Sequence, residues 1–107
     1  STYQAQTNDR FKKVEIMFEY IYGRIWQNLR DDVRDMLVRL ALQIPAEGIY
    51  RDDAAISCGI TEDQLSVALE QAVEYYLIRQ TLQFDGEMLV MHPLTIAYVR
   101  SRLQKAQ

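Results

Sequence analysis

The feature that most constrains this chain is a tight-turn signal, Asp85-Gly86, standing between two short apolar-rich runs and followed closely by Pro93. Asp-Gly favours the two-residue hairpin turn whose twist matches that of paired strands. The residues from Gln80 to Phe84 and from Met88 to Met91 are therefore expected to pair around Asp85-Gly86-Glu87. Pro93 has no amide hydrogen and suits the first turn of a helix. That helix is expected to reach about Arg102 or Lys105, with Leu94, Ala97, Tyr98 and Leu103 as its apolar side.

Upstream, the pattern changes to helical periodicity. Phe11, Val14, Phe18, Ile21 and Ile25 draw one stripe down a helix from Asp9 to Leu29, widened by Met17, Tyr22 and Trp26. A helix this apolar needs cover on more than one side, and Gly23 is its weak point unless close packing requires a glycine. Val33, Met36, Leu37, Leu40, Ala41 and Ile44 begin a second helix in a new phase, ended by Pro45 and Gly48. Tyr50 to Ser57 suits a third, short helix closed by Gly59. Thr61 and Gln64 sit at capping-box spacing, with Ile60 and Leu65 placed as a hydrophobic staple. The helix they open buries Leu65, Ala68, Leu69, Ala72, Val73, Tyr76 and Leu77 and fades around Arg79.

The order helix, helix, short helix, helix, hairpin, helix is that of a winged-helix domain. The expected class is mostly α, with a two-stranded wing, an additional N-terminal helix and a C-terminal helix. Residues 1–8 read as a linker or disordered end, 9–30 as a helix preceding the winged helix, and 31–107 as the winged-helix domain. Because Ser1 opens a polar stretch running to Asn8, the chain reads as an excised fragment, and the isolated fragment as a monomer.

Composition narrows the chemistry. The 107 residues can bury a core without disulfides or metal. The lone Cys58 excludes an internal disulfide or a CxxC site and suits a reducing, cytoplasmic compartment. No apolar run is long enough to span a bilayer, so no membrane partner is expected. Cys58 and His92 are the only pair available for thiol catalysis, and Cys58 reads as a small core filler. The adjacent acids Asp31-Asp32, Asp52-Asp53 and Glu62-Asp63 suit loops or first helical turns better than metal ligation. None of the glycines opens a phosphate-binding loop, so the fragment itself is not an NTPase.

A winged helix raises DNA binding at once, and charge speaks against it. Between Thr61 and Arg79 stand Glu62, Asp63, Glu70 and Glu74 against Arg79 alone, and the turn of the wing carries Asp85 and Glu87. Phosphate contacts need cations, and the net charge is -3. Gln64 and Gln71 could read a base but suit ordinary surface polars better. Arg100, Arg102 and Lys105 gather in the last helix, where they complement its dipole or face an acidic partner.

The run from Met88 to Val99, Met-Leu-Val-Met-His-Pro-Leu-Thr-Ile-Ala-Tyr-Val, resembles the end of the winged-helix domain in STAND-class signalling NTPases of the NB-ARC type. Bacterial members often show a His-Pro-Leu run there. Plant members show Met-His-Asp, so Met91 and His92 match while Pro93 departs. The likeness extends back through Tyr22 to Leu29, the Val33 to Ala41 helix and the Thr61 helix, about four-fifths of the chain.

The resemblance implies a non-catalytic regulatory module of a signal-transduction ATPase. Its partner is the nucleotide-binding domain of the same chain, whose ADP-bound closed state it stabilises. It implies that His92 contacts the ADP β-phosphate, with ADP or ATP and Mg bound by the parent protein and no cofactor in the isolated domain. The residues alone leave His92 open between that contact and capping or packing at the wing. Nucleic acid is not expected under this reading. The alternative is the DNA-binding domain of a transcription regulator, and a third possibility is a protein-interaction adaptor.

Overall fold

The computed structural model describes residues 2–105, with side chains for Arg10 and from Lys12 on. It is mostly helical: α1 (Thr2–Asn28), α2 (Asp31–Ala41), β1 (Ile49–Tyr50), α3 (Arg51–Cys58), α4 (Glu62–Glu74), β2 (Ile78–Gln83), β3 (Gly86–Met91) and α5 (Pro93–Lys105). The three strands form an antiparallel sheet in the order β1-β3-β2. This is the winged-helix architecture expected from the sequence.

The core is built where the helical stripes and the inner face of the wing converge. Val33, Met36, Leu37, Leu40 and Ala41 of α2 meet Ala54, Ala55 and Cys58 of α3 and Leu65, Ala68, Leu69 and Ala72 of α4. Ile78, Leu89 and Met91 close it from the sheet, and Tyr98 and Val99 from α5. Burial of this kind contributes roughly 1.5–3 kcal/mol per large side chain, so the stripes, more than local propensity, fix the helices in place.

Several elements differ from the sequence expectation. Helix α1 begins at Thr2, within the stretch read as a linker, and Ser1 lies outside the described residues. Along its described part, Tyr22, Ile25 and Trp26 pack on the core, whereas Val14, Ile16, Met17, Tyr20 and Ile21 are exposed. Helix α2 ends at Ala41, although Ile44 remains buried and its amide bonds the Leu40 carbonyl at 2.8 Å.

Helix α4 stops at Glu74, short of Arg79, because Tyr76 takes a left-handed conformation (φ 61) that reverses the chain. The Leu77 amide returns to the Ala72 carbonyl at 2.9 Å, closing the helix end. Leu77, in the bend, and Ile78, the first residue of β2, then both face the core, while Tyr76 points to solvent. Helical periodicity could not separate these alternatives, since Leu77 is buried either way.

Strand β1 was not foreseen. It pairs Ile49 with Leu89 and Tyr50 with Met88, and Gly48 makes this possible. Its φ is 110, and a Cβ there would lie 2.6 Å from the Leu89 carbonyl oxygen. On α5 the buried residues are Thr95, Tyr98 and Val99, whereas Leu94 and Ala97, expected on the apolar side, are exposed. The phase is set by Tyr98, which sits among Phe18, Tyr22 and Trp26 of α1 with ring centroids 5.4–6.0 Å away.

Candidate nucleic-acid interface

Helices α3 and α4 form a helix-turn-helix. Helix α3 ends at Gly59 in left-handed conformation (φ 66), and three residues later α4 is under way. Thr61 Oγ1 accepts from the Gln64 amide at 3.1 Å, and Gln64 Oε1 accepts from the Thr61 amide at 3.0 Å. The capping box read from the sequence is therefore present. It fixes where α4 begins and how its outer face is turned.

That outer face is acidic. Leu65, Ala68, Leu69 and Ala72 point inward, leaving Glu62, Asp63, Glu70 and Glu74 outside with Gln64 and Val67. Both glutamines serve the scaffold. Gln64 completes the cap, and Gln71 Oε1 accepts from the Arg30 amide at 2.8 Å while its Nε2 donates to the Asn28 carbonyl at 3.4 Å. Arg30 adds a bond from its guanidinium to the Val67 carbonyl at 2.9 Å. Together these bonds clamp α4 to the corner between α1 and α2.

The wing is held to the helix-turn-helix by a residue that sequence reasoning missed. Arg51, at the start of α3, donates to Glu87 of β3 at 3.1 Å, to Glu62 of α4 at 3.4 Å and to the Ser66 hydroxyl. Nothing local signals this, because its partners come from two other elements. Nearby, the Tyr50 hydroxyl donates to Asp85 at 2.7 Å, tying β1 to the turn of the wing. This bond to a carboxylate pushes the Tyr50 pKa above its ordinary value, with smaller contributions from desolvation and the Asp85 charge. Asp52, Asp53, Asp85 and Glu87 thus surround a hollow of about 310 Å³ in which Arg51 is the cation. Beyond it the wing exposes Leu82 and Phe84 almost completely.

The cations of α5 are engaged within the fold. Arg100 Nε donates to the Ala41 carbonyl at 2.9 Å. The Arg102 guanidinium stacks 5.3 Å from the Trp26 ring centroid and bonds the Tyr98 hydroxyl at 3.1 Å. Lys105 pairs with Glu19 at 2.6 Å. They bind α5 to α2 and α1, a role not foreseen for this basic cluster.

His92 lies at the junction of β3 and α5. Its amide donates to the Leu77 carbonyl at 3.1 Å, and its Nδ1 accepts from the Leu94 amide at 3.1 Å. The side chain is exposed and caps α5 through Nδ1. Cys58 is buried, with its thiol pKa raised chiefly by desolvation, as suits a core filler. Among the described residues no group of three His, Cys, Asp or Glu side chains is placed to hold a metal, and no helix is long and apolar enough to cross a membrane.

No protein-family model matches the chain, and no curated protein matches it in sequence. Solved structures do match in fold. A MarR-family transcription regulator superposes with a TM-score of 0.59 at 12% identity, over 99% of this chain and 78% of its own. MepR of Staphylococcus aureus in complex with DNA gives 0.58 at 13% identity, over 97% and 82%. A MarR-family regulator from Silicibacter pomeroyi gives 0.58 at 19% identity, over 86% and 67%. At such identities the likeness is one of fold.

These neighbours overturn the resemblance drawn from Met88 to Val99. They are transcription regulators, not domains of STAND or NB-ARC NTPases. A regulatory module docked on a nucleotide-binding domain of its own chain, and the exclusion of nucleic acid, are corrected with it, since one neighbour is a DNA complex. The His-Pro-Leu run is short, and a helix entered from a strand through a capping residue and Pro93 accounts for it. The ADP contact of His92 and an ATPase parent rested on that resemblance alone and have no other support.

Proposed function

We propose that this chain is a DNA-binding winged-helix domain of a transcription regulator acting in the cytoplasm, with α4 as the groove element and the wing beside it. The observation that carries this reading is the arrangement of α3, the Gly59 turn, α4 and the wing over 97% of the chain in the manner of a regulator bound to DNA. Gln64 and Gln71 are engaged in the scaffold and Glu62 is paired with Arg51. Asp63, in the first turn of α4, is then the base-facing side chain, and a carboxylate accepts from the cytosine amino group. Acids on α4 limit phosphate contacts, so affinity is low and falls gently with salt.

Fluorescence anisotropy of random duplex pools at low salt tests this reading. Binding is expected with a shallow salt slope, that of about two to three phosphates neutralised with release of their counterions. Glu70→Lys with Glu74→Lys is expected to tighten binding about tenfold or more. Failure of the native chain to bind any duplex at low salt overturns it.

The acidic outer face of α4 favours a second reading, docking of a basic protein surface. Under that reading the duplex titration is flat, and a Lys/Arg-rich peptide perturbs the α4 amides.

A further inference from the structure

We propose that the free edge of β2 pairs with β2 of a second copy of this chain, joining two wings into one six-stranded antiparallel sheet. Strand β3 lies in the middle of the sheet, so β2 has only one strand neighbour among the described residues. The His92 amide bonds the Leu77 carbonyl, making that a bonded pair, and bonded and non-bonded pairs alternate along an antiparallel ladder. The register then bonds Arg79 to Val90, Thr81 to Met88 and Gln83 to Gly86. The amides and carbonyls of Ile78, Gln80 and Leu82 consequently face away from β3.

Nothing blunts this edge. Across Ile-Arg-Gln-Thr-Leu-Gln the only charge is Arg79, with no proline, and sheet edges are normally protected by charges, prolines or bulges. Leu82 and Phe84 are exposed beside it. A shallow groove of about 550 Å³ lies against the start of this strand, bordered by Ile78, Arg79 and Gln80 of β2, by Val73 and Tyr76 before it and by Val90 of β3.

The edge is complementary to itself. A two-fold axis through Gln80 sets Gln80 against Gln80, Ile78 against Leu82 and Arg79 against Thr81, so no like charges meet face to face. It carries Leu82 of the second copy, 86% exposed in the single chain, to the groove beside Ile78. Unpaired backbone groups and an exposed leucine are satisfied by one interaction.

Sedimentation equilibrium tests the proposal. The native chain is expected to dimerise over the micromolar to millimolar range. Gln80→Pro removes an outward donor while sparing the β2 to β3 bonds, and Leu82→Lys places a charge in the interface. Each is expected to sediment as a monomer with an unchanged circular-dichroism spectrum. A native chain that stays monomeric throughout this range overturns the proposal. So does a dimer that persists in Leu82→Lys and Gln80→Pro, which would place the contact elsewhere, such as the exposed side of α1.

Discussion

Arg51 and Glu87 meet at 3.1 Å across the gap between the first turn of α3 and the central strand of the wing. The same guanidinium also reaches Glu62 and Ser66 of α4, so one side chain sets the angle between wing and helix-turn-helix. Replacing it as Arg51→Gln leaves two carboxylates facing each other. Chemical denaturation is expected to show a loss of about 1–2 kcal/mol, since the partners are partly exposed. Wing amides should show faster hydrogen exchange, and duplex affinity should fall because Glu62 and Glu87 are no longer neutralised.

Two glycines should respond in opposite directions to alanine. At Gly48 the left-handed backbone and the 2.6 Å approach to the Leu89 carbonyl leave no room for a Cβ. Gly48→Ala is expected to cost at least about 2 kcal/mol and to detach β1. At Gly23 the nearest atom to a Cβ is the Tyr98 hydroxyl at 3.7 Å, an ordinary contact. Gly23→Ala should therefore stabilise α1 by up to about 1 kcal/mol. Thermal melts of the two variants check both signs.

Tyr98 is 1% exposed and forms the seat on which α1 rests. Tyr98→Ala removes the partner of Phe18, Tyr22, Trp26 and Arg102 together. A loss of about 3–5 kcal/mol is expected, along with limited proteolysis within α1 while α2 to α4 stay protected. Cleavage spread evenly over the whole chain would contradict the placement of Tyr98 as the seat of α1 alone.

The Tyr50 to Asp85 bond makes a pH-dependent contribution. Folding raises the Tyr50 pKa, so the protonated phenol is the form the folded state prefers. Its stabilising contribution is present in full below the unfolded value, about 10, and is lost as pH rises through the folded value. Ultraviolet titration should show Tyr50 ionising late, and Asp85→Asn should bring it back toward the ordinary range.

Much of this fold was legible in the sequence because its signals are local. The Thr61 and Gln64 box, the left-handed Gly59, the Asp85-Gly86 hairpin signal and Pro93 each act within a few residues, and each marks an element boundary in the structure, although the turn itself falls at Phe84-Asp85, with Gly86 and Glu87 already paired in β3. What escaped depended on distant partners. Strand β1 exists only because Leu89 and Met88 lie opposite it, and the end of α4 depends on Tyr76 accepting a left-handed backbone. The site was harder to read. Gln71 looked like a surface polar until Asn28 and Arg30 came beside it, and the cations of α5 looked free until α1 and α2 engaged them. The residues alone left His92 open between a nucleotide contact and a helix cap, and its Nδ1 does cap α5.

The central claim is that α4 and the wing meet duplex DNA, and amide chemical-shift mapping tests it most directly. With isotopically labelled protein and a duplex selected from a random pool at low salt, shifts are expected in the first turns of α4, including Asp63, and at the turn of the wing around Asp85 and Gly86. The shifts should fade together as salt is raised. An unchanged spectrum at saturating duplex, or shifts confined to α1 and α5, would contradict the claim.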